Sequence, residues 1–318
     1  MKADGVFAGG GVKGLAFSGA LQASAEAGYD EWNRLAGTSA GAITAMALAV
    51  GYSAAQLREL LESFDLATIA DYGPLREAEI PVNLALHEGA THGVALHRWI
   101  EQLLDEAPQP AKKFGELAEE KLQVVGVDLA HSRMVVFPRD VALYVDDAGR
   151  PLVPEEFPIA DAVRISAGFP YFFPPMHLED AKTGKQGVLV DGGVASAFPV
   201  FLFDSPEPKH PTWGYRLFSG NPPEQPSYTE IGGPTWPIEM LKAIVDTSMG
   251  ALDKLEMVAF GPRTISIPTG DVPTLDFSLD EAQKKELYDF GYSTAKAFFE
   301  ANPDGRNTYG KVPASLTS

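Results

Sequence analysis

Two glycine-flanked polar residues carry most of the chemistry this sequence can perform. Gly37-Thr38-Ser39-Ala40-Gly41 satisfies G-x-S-x-G, a sharp strand-to-helix turn whose glycines let a strained serine point outward as a nucleophile. A short segment, Leu35-Ala36-Gly37, runs into it and the small-residue stretch Ala42–Val50 follows. Ser39 is therefore expected at a helix N-terminus, where the dipole and free N–H groups favour a developing oxyanion. The competing role is a serine that merely caps the helix. Far downstream, Asp191-Gly192-Gly193 follows the apolar run Gly187–Val190, which puts a carboxylate at the carboxyl end of a strand, the edge where α/β sheets place their sites. Asp-Gly is equally a frequent turn dipeptide.

Near the start, Gly9-Gly10-Gly11-Val12-Lys13-Gly14 satisfies G-x-G-x-x-G between a strand and a helix, the context of a dinucleotide fingerprint. The acidic residue such a site wants about 20 positions on has only Asp30 and Glu31 as candidates, and these follow a glycine turn rather than an apolar strand. A P-loop is excluded, because no Gly-Lys-Ser/Thr closes the motif. The glycines offer a row of backbone N–H groups beside a helix N-terminus, suited to negative charge, or simply a tight turn. Phe169, Tyr171, Phe172 and Phe173, between Pro170 and Pro174-Pro175, are candidates for an acyl-chain pocket, with core packing as the equal alternative.

Other chemistries are thinly represented. The chain has no cysteine, so it offers no disulfide, thiolate metal site or catalytic thiol. Its six histidines, His87, His92, His97, His131, His177 and His210, fall in no HExxH or HxH spacing, so neither a metal site nor a marked catalytic base is expected. With 25 Lys+Arg against 43 Asp+Glu the formal charge is −18, which repels phosphate backbones and argues against nucleic-acid binding. No apolar stretch near the start approaches the roughly 20 residues of a membrane span, and no leader-like apolar region precedes the glycine motif. A cytoplasmic protein without a transmembrane segment is expected.

The elements that must position these residues follow from periodicity. Gly5–Ala8 reads as a strand, Lys13–Ala27 as a helix with a small-residue face (Ala16, Gly19, Ala20, Ala23, Ala27) able to lie close to a sheet, and Gly28 as its C-cap. Ser53 begins a helix to about Phe64, and His92–Leu104 forms another. Leu122–Val127, Met134–Phe137, Gly187–Val190, Trp213–Phe218 and Thr264–Ile267 read as strands, and Ile238–Phe260 and Asp280–Ala301 as long helices. Eight prolines between Ser205 and Pro237 make that stretch irregular, a lid or a connection. Helices alternating with short buried strands, undivided by any linker, imply one α/β sandwich domain over residues 1–318.

The trio GGGVKG, GTSAG and DGG, in that order, resembles the patatin-like phospholipase family. Arg164-Ile165-Ser166-Ala167-Gly168-Phe169-Pro170 looks like that family's R-x-S-x-x-x-P segment, and Phe277–Phe299 like the terminal helix of bacterial members. The likeness runs from about Val6 to Val200. It implies a three-layer α/β/α sandwich with a central, mostly parallel sheet, having a motif-bearing core at about 5–200 and a C-terminal strand and helices at about 213–301. It also implies calcium-independent lipid acyl hydrolysis without a cofactor, acting on a phospholipid or lysophospholipid ester and allowing transient contact with membrane surfaces. By the same resemblance Ser39 is the nucleophile, Asp191 the base, and Gly9, Gly10 and Gly11 the oxyanion hole, with Gly14, Gly37, Gly41, Gly192 and Gly193 completing the motifs. One position departs: many members carry Asn in D-G-G-x-x-x-N-x-P, where this chain has Ala197. Two other functions stay open, a nucleotide-binding oxidoreductase built on Gly9–Gly14 and a non-catalytic lipid-binding protein on the same fold.

Overall fold

Apolar pattern and buried charge together set the central strands. Strand β1 (Lys2–Phe7) begins earlier than its apolar residues imply, because Asp4 is only 1% exposed and is held by Arg34 Nη2 at 2.7 Å and by Asn33 Nδ2 at 3.0 Å. The same pairing lengthens β2 (Glu31–Thr38), whose polar first half hides it from periodicity. A buried charge is tolerable in a strand when its partner sits on the neighbouring one. The computed structural model describes residues 1–63, 66–69, 91–196, 198–218, 240, 243, 261–274 and 278–303.

Between these strands lies helix α1 (Ala16–Glu26), followed by Gly28 in the left-handed region at φ 88°. After β2 come α2 (Ala40–Ala49), α3 (Ala54–Ser63) and α4 (Val94–Asp105), which buries Leu96, Trp99, Ile100, Leu103 and Leu104. Then follow β3 (Leu122–Asp128), β4 (Arg133–Phe137), β5 (Tyr144–Val145), α5 (Ile159–Ser166), β6 (Met176–Asp180) and β7 (Gln186–Asp191). The described chain closes with β8 (Thr212–Phe218), β9 (Thr264–Pro268) and α6 (Glu281–Ala301). Sequence patterning did not show α5, β5 and β6: α5 is a short helix between prolines, and β6 alternates charged and apolar residues over only five positions. Apart from residues 240 and 243, the helix expected over Ile238–Phe260 lies outside the described residues, as do residues 219–237 of the proline-rich stretch.

The strands form one mixed sheet in the order β5-β6-β7-β3-β2-β1-β8-β9, with β4 also paired to β3. The five strands β3-β2-β1-β8-β9 are mutually parallel, and β4, β5, β6 and β7 extend the sheet by antiparallel pairs. With helices layered on it the molecule is the three-layer α/β/α sandwich the motifs implied. Phe7, Leu35 and Val124 enter the main core together with α1 and α2, while Val6, Ala8 and Ala36 pack on the opposite face under Phe198, Val200 and Phe203. The small face of α1 meets α6, rather than the sheet as expected. A Cβ added at Gly19 would lie 2.0 Å from the Tyr288 carbonyl oxygen, and one at Gly291 would lie 1.9 Å from that of Ala16. Two backbones this close require glycine on both sides. Helix α6 is anchored through Phe298 and Phe299, which stand edge-on to buried Trp213 at 5.5 and 5.2 Å.

Candidate active site

Ser39 occupies a strained turn between β2 and α2, at φ 56° and ψ −125°. A non-glycine residue there costs on the order of 1–3 kcal/mol and persists only when its surroundings impose it. They do so here by close approach: a Cβ on Gly37 would fall 2.2 Å from the Gly41 carbonyl oxygen, and one on Gly41 would fall 2.2 Å from that of Phe7. The flanking glycines are thus steric requirements of the elbow. Ser39 begins α2 but makes no side-chain cap, which removes the capping role. Its hydroxyl instead donates to Asp191 Oδ2 at 2.7 Å.

Asp191 ends β7, and its other oxygen, Oδ1, accepts the Gly193 N–H at 2.8 Å. The carboxylate therefore makes the local turn and faces the serine at once. Gly192 passes so close to β3 and β2 that a Cβ would lie 2.3 Å from the Val125 carbonyl oxygen and 2.9 Å from Thr38 Cγ2. Asp191 is 4% exposed, and burial pushes its pKa up to about 6 against the opposing hydrogen bonds from Gly193 and Ser39. A carboxylate so raised is a usable proton acceptor near neutral pH.

The glycine loop lies against this pair. A Cβ on Gly9 would be 3.4 Å from Ser39 Cβ, and one on Gly14 would be 2.9 Å from Ala40 Cβ. Gly11 sits at φ 55°, where a Cβ would strike the Thr274 carbonyl oxygen at 2.1 Å. Among the described residues, no acceptor takes the backbone N–H of Gly9, Gly10 or Gly11. The loop also answers the dinucleotide alternative: Glu31 starts β2 while Thr38 ends it, so the acidic residue stands at the end of the strand away from the glycines. A Rossmann site needs it at the other end.

Ser166, which the sequence marks only as part of the R-x-S-x-x-x-P segment, is brought into the site by the structure. Its hydroxyl oxygen accepts the Ser39 N–H at 2.9 Å, and its O–H donates to the Val125 carbonyl at 2.6 Å. Thr38 Oγ1 likewise donates to the Ser196 carbonyl at 3.1 Å, tying the end of β2 to the chain beyond DGG; Ala197 itself is outside the described residues. Of the aromatic candidates, Phe172 and Phe173 are buried in the core in an edge-on pair at 4.8 Å, Phe169 is partly buried, and Tyr171 is exposed at φ 63°. His97 is bonded to Asp161 and His131 to Asp128, away from the dyad, while His87 falls outside the described residues. Among the described residues no group of three or more His, Asp or Glu is placed to hold a metal, and no helix is long and apolar enough to cross a membrane.

An α/β/α sandwich with a strand–helix elbow serine bonded to a buried carboxylate delimits a class of hydrolases. The family model of the patatin-like phospholipases matches residues 5–204, and the chain belongs to that family of lipid hydrolases. It is 35% identical over 305 residues to the protein YqhO of Bacillus subtilis (strain 168), covering 94% of this chain and 99% of YqhO. It is 28% identical over 194 residues to the NTE family protein Rv2565 of Mycobacterium tuberculosis, covering 61% of this chain and 27% of that one. Among solved structures, VipD from Legionella pneumophila shares the fold with a TM-score of 0.56 at 18% identity, over 94% of this chain and 67% of VipD. The type III effector protein ExoU does so with a TM-score of 0.50 at 19% identity, over 95% of this chain and 53% of ExoU.

Proposed function

We propose that the protein is a serine acyl hydrolase that cleaves carboxylic esters of phospholipids or lysophospholipids through Ser39 and Asp191. The observation that carries this reading is the 2.7 Å bond from Ser39 Oγ to Asp191 Oδ2, made by a serine held in a strained elbow. As Oγ attacks the ester carbonyl, its proton passes to Asp191, and the carbonyl oxygen becomes an oxyanion. Because the N–H of Ser39 is already committed to Ser166, the stabilising donors come from the Gly9–Gly11 backbone beside it. Collapse expels the alcohol with the proton from Asp191 and leaves an acyl-serine. Water, deprotonated by the same carboxylate, then releases the fatty acid and restores the hydroxyl.

The sheet supports treating residues 1–318 as one domain, since β8 and β9 continue directly from β1. Of the four aromatic candidates, Phe169 and Tyr171, at the turn after α5, keep exposed surface for an acyl chain. The family assignment supports a lipid as substrate, met at a membrane surface. The decisive experiment is fluorophosphonate labelling of the parent and of Ser39→Ala. The parent should react and hydrolyse a short-chain ester, and the variant should lose both by several orders of magnitude. A well-folded parent that binds lipid but neither labels nor hydrolyses would instead be a lipid-binding protein on this fold, and residual Ser39→Ala activity within tenfold of the parent would displace Ser39 as nucleophile.

A further inference from the structure

The C-terminal end of α5 touches both members of the Ser39–Asp191 pair. Ser166 Oγ accepts the backbone N–H of Ser39 at 2.9 Å, and the carbonyl of Gly168, two residues on, accepts the backbone N–H of Asp191 at 3.1 Å. Ser166 is itself fixed, with 0% exposure and its own proton given to the Val125 carbonyl of β3 at 2.6 Å. Val125 is the register partner of Thr38, and Gly126 that of Asp191. One hydroxyl therefore links the strand lying between the two functional residues to the backbone of the serine.

We infer that Ser166 is a positioning residue for the reaction, whose hydroxyl holds the Ser39 elbow at the attack geometry while Gly168 holds Asp191; the inference rests on the hydrolase reading above. Ser39 is kept at positive φ from both sides of its own residue. Its carbonyl accepts from Ala42 N at 2.9 Å as α2 begins, and its N–H is held by Ser166. Without the hydroxyl at 166 the N–H side has no such anchor, and the elbow is free to relax toward ordinary backbone angles, carrying Oγ away from Asp191. Displacements near 1 Å in a catalytic array lower rates by about 10²-fold. Arg164 secures the same segment, donating from Nε to the Gly93 carbonyl and from Nη2 to that of Pro174, both at 3.1 Å.

The test compares Ser166→Ala with the parent on a soluble short-chain ester, with Val163→Ala, a buried α5 residue whose side chain makes none of these bonds, as the control for general loss of stability. Ser166→Ala should lower kcat by about 10- to 100-fold with KM within about threefold. It should also move the acid limb of the rate profile to higher pH, because the bond from Ser39 is one of two that hold the Asp191 pKa down. Amide hydrogen exchange at Ser39 should accelerate in Ser166→Ala only, a readout independent of turnover. If the alanine variant does not fold, the isosteric pair Ser166→Thr and Ser166→Val replaces it, with activity expected for threonine and lost for valine. A folded Ser166→Ala with kcat within twofold of the parent, an unmoved acid limb and unchanged Ser39 exchange overturns the inference. So does equal activity of the threonine and valine variants. A parent protein that fails to react with fluorophosphonate overturns instead the hydrolase reading, and the exchange result still decides whether Ser166 holds the elbow.

Discussion

Ser39 and Asp191 stand 152 positions apart in the chain, and their side chains meet at 2.7 Å across strand β3, which is paired on one side with β2 and on the other with β7. Thr38 is in register with Val125 and Asp191 with Gly126, so the two functional strands end at adjacent positions of the strand between them. Strands spaced about 4.8 Å apart leave a gap that the elbow and the DGG turn close from either side.

The base can be tested by replacing Asp191 with Asn, which preserves shape but cannot take the serine's proton. The rate should fall by about 10² to 10⁴, the usual contribution of general-base catalysis. Steady-state kinetics on a soluble ester measure this, with each His→Ala variant as a comparison. A histidine variant that lost activity to that extent, while Asp191→Asn stayed active, would replace the dyad by a Ser–His arrangement.

The same carboxylate sets a pH dependence. Its ionised form accepts the proton, so kcat/KM should rise about tenfold per pH unit below about 6 and level off above it. Stability runs the other way. A carboxyl whose folded pKa lies above its unfolded value of about 3.9 stabilises the fold only while protonated, and that contribution is lost as pH rises through about 6. The full difference is on the order of 3 kcal/mol at about 1.4 kcal/mol per pKa unit. Asp191→Asn should therefore raise the thermal midpoint, and by more at pH 8 than at pH 4.5.

The glycines separate steric need from conformational preference. Gly41→Ala drives a Cβ to within 2.2 Å of the Phe7 carbonyl oxygen, and Gly291→Ala to within 1.9 Å of that of Ala16. Neither neighbour is a flexible side chain, so each should cost more than about 4 kcal/mol or prevent folding. Gly149→Ala, at φ 73° with nothing within 4 Å, should cost only about 1 to 2 kcal/mol. Chemical denaturation of the three variants checks the ranking.

Hydrolysis of a soluble short-chain ester should survive excess chelator, since the proposed mechanism draws its electrostatics from backbone N–H groups. A calcium requirement on that substrate would contradict it. Long-chain lipids are the poorer assay because calcium alters the lipid surface itself.

The formal charge of −18 bears on which surfaces the protein can work at, because anionic leaflets attract basic segments and repel acidic ones. Hydrolysis in zwitterionic vesicles should exceed that in anionic vesicles at low salt, with the gap closing as salt shortens the Debye length from about 30 Å at 0.01 M to about 10 Å at 0.1 M. Faster turnover on anionic vesicles at low salt would reveal a basic face gathered by folding.

What the sequence determined by itself is local. Glycines at 37, 41 and 192 announce turns whose backbones pass too close to a neighbour for any Cβ, and such turns are legible because few residues tolerate them. The apolar runs of β3, β8 and α4 and the family resemblance were legible for the same reason, each being written in consecutive residues. Only the tertiary structure decided that Ser39 bonds to Asp191 rather than capping α2, because a hydrogen bond across three strands has no signature in spacing. It also decided that Ser166 grips the Ser39 backbone, that Phe172 and Phe173 belong to the core, and that the small face of α1 meets Gly291 of α6. The lengths of β1 and β2 were hidden as well: Asp4 and Arg34 look like loop residues until the two strands lie side by side and each charge neutralises the other.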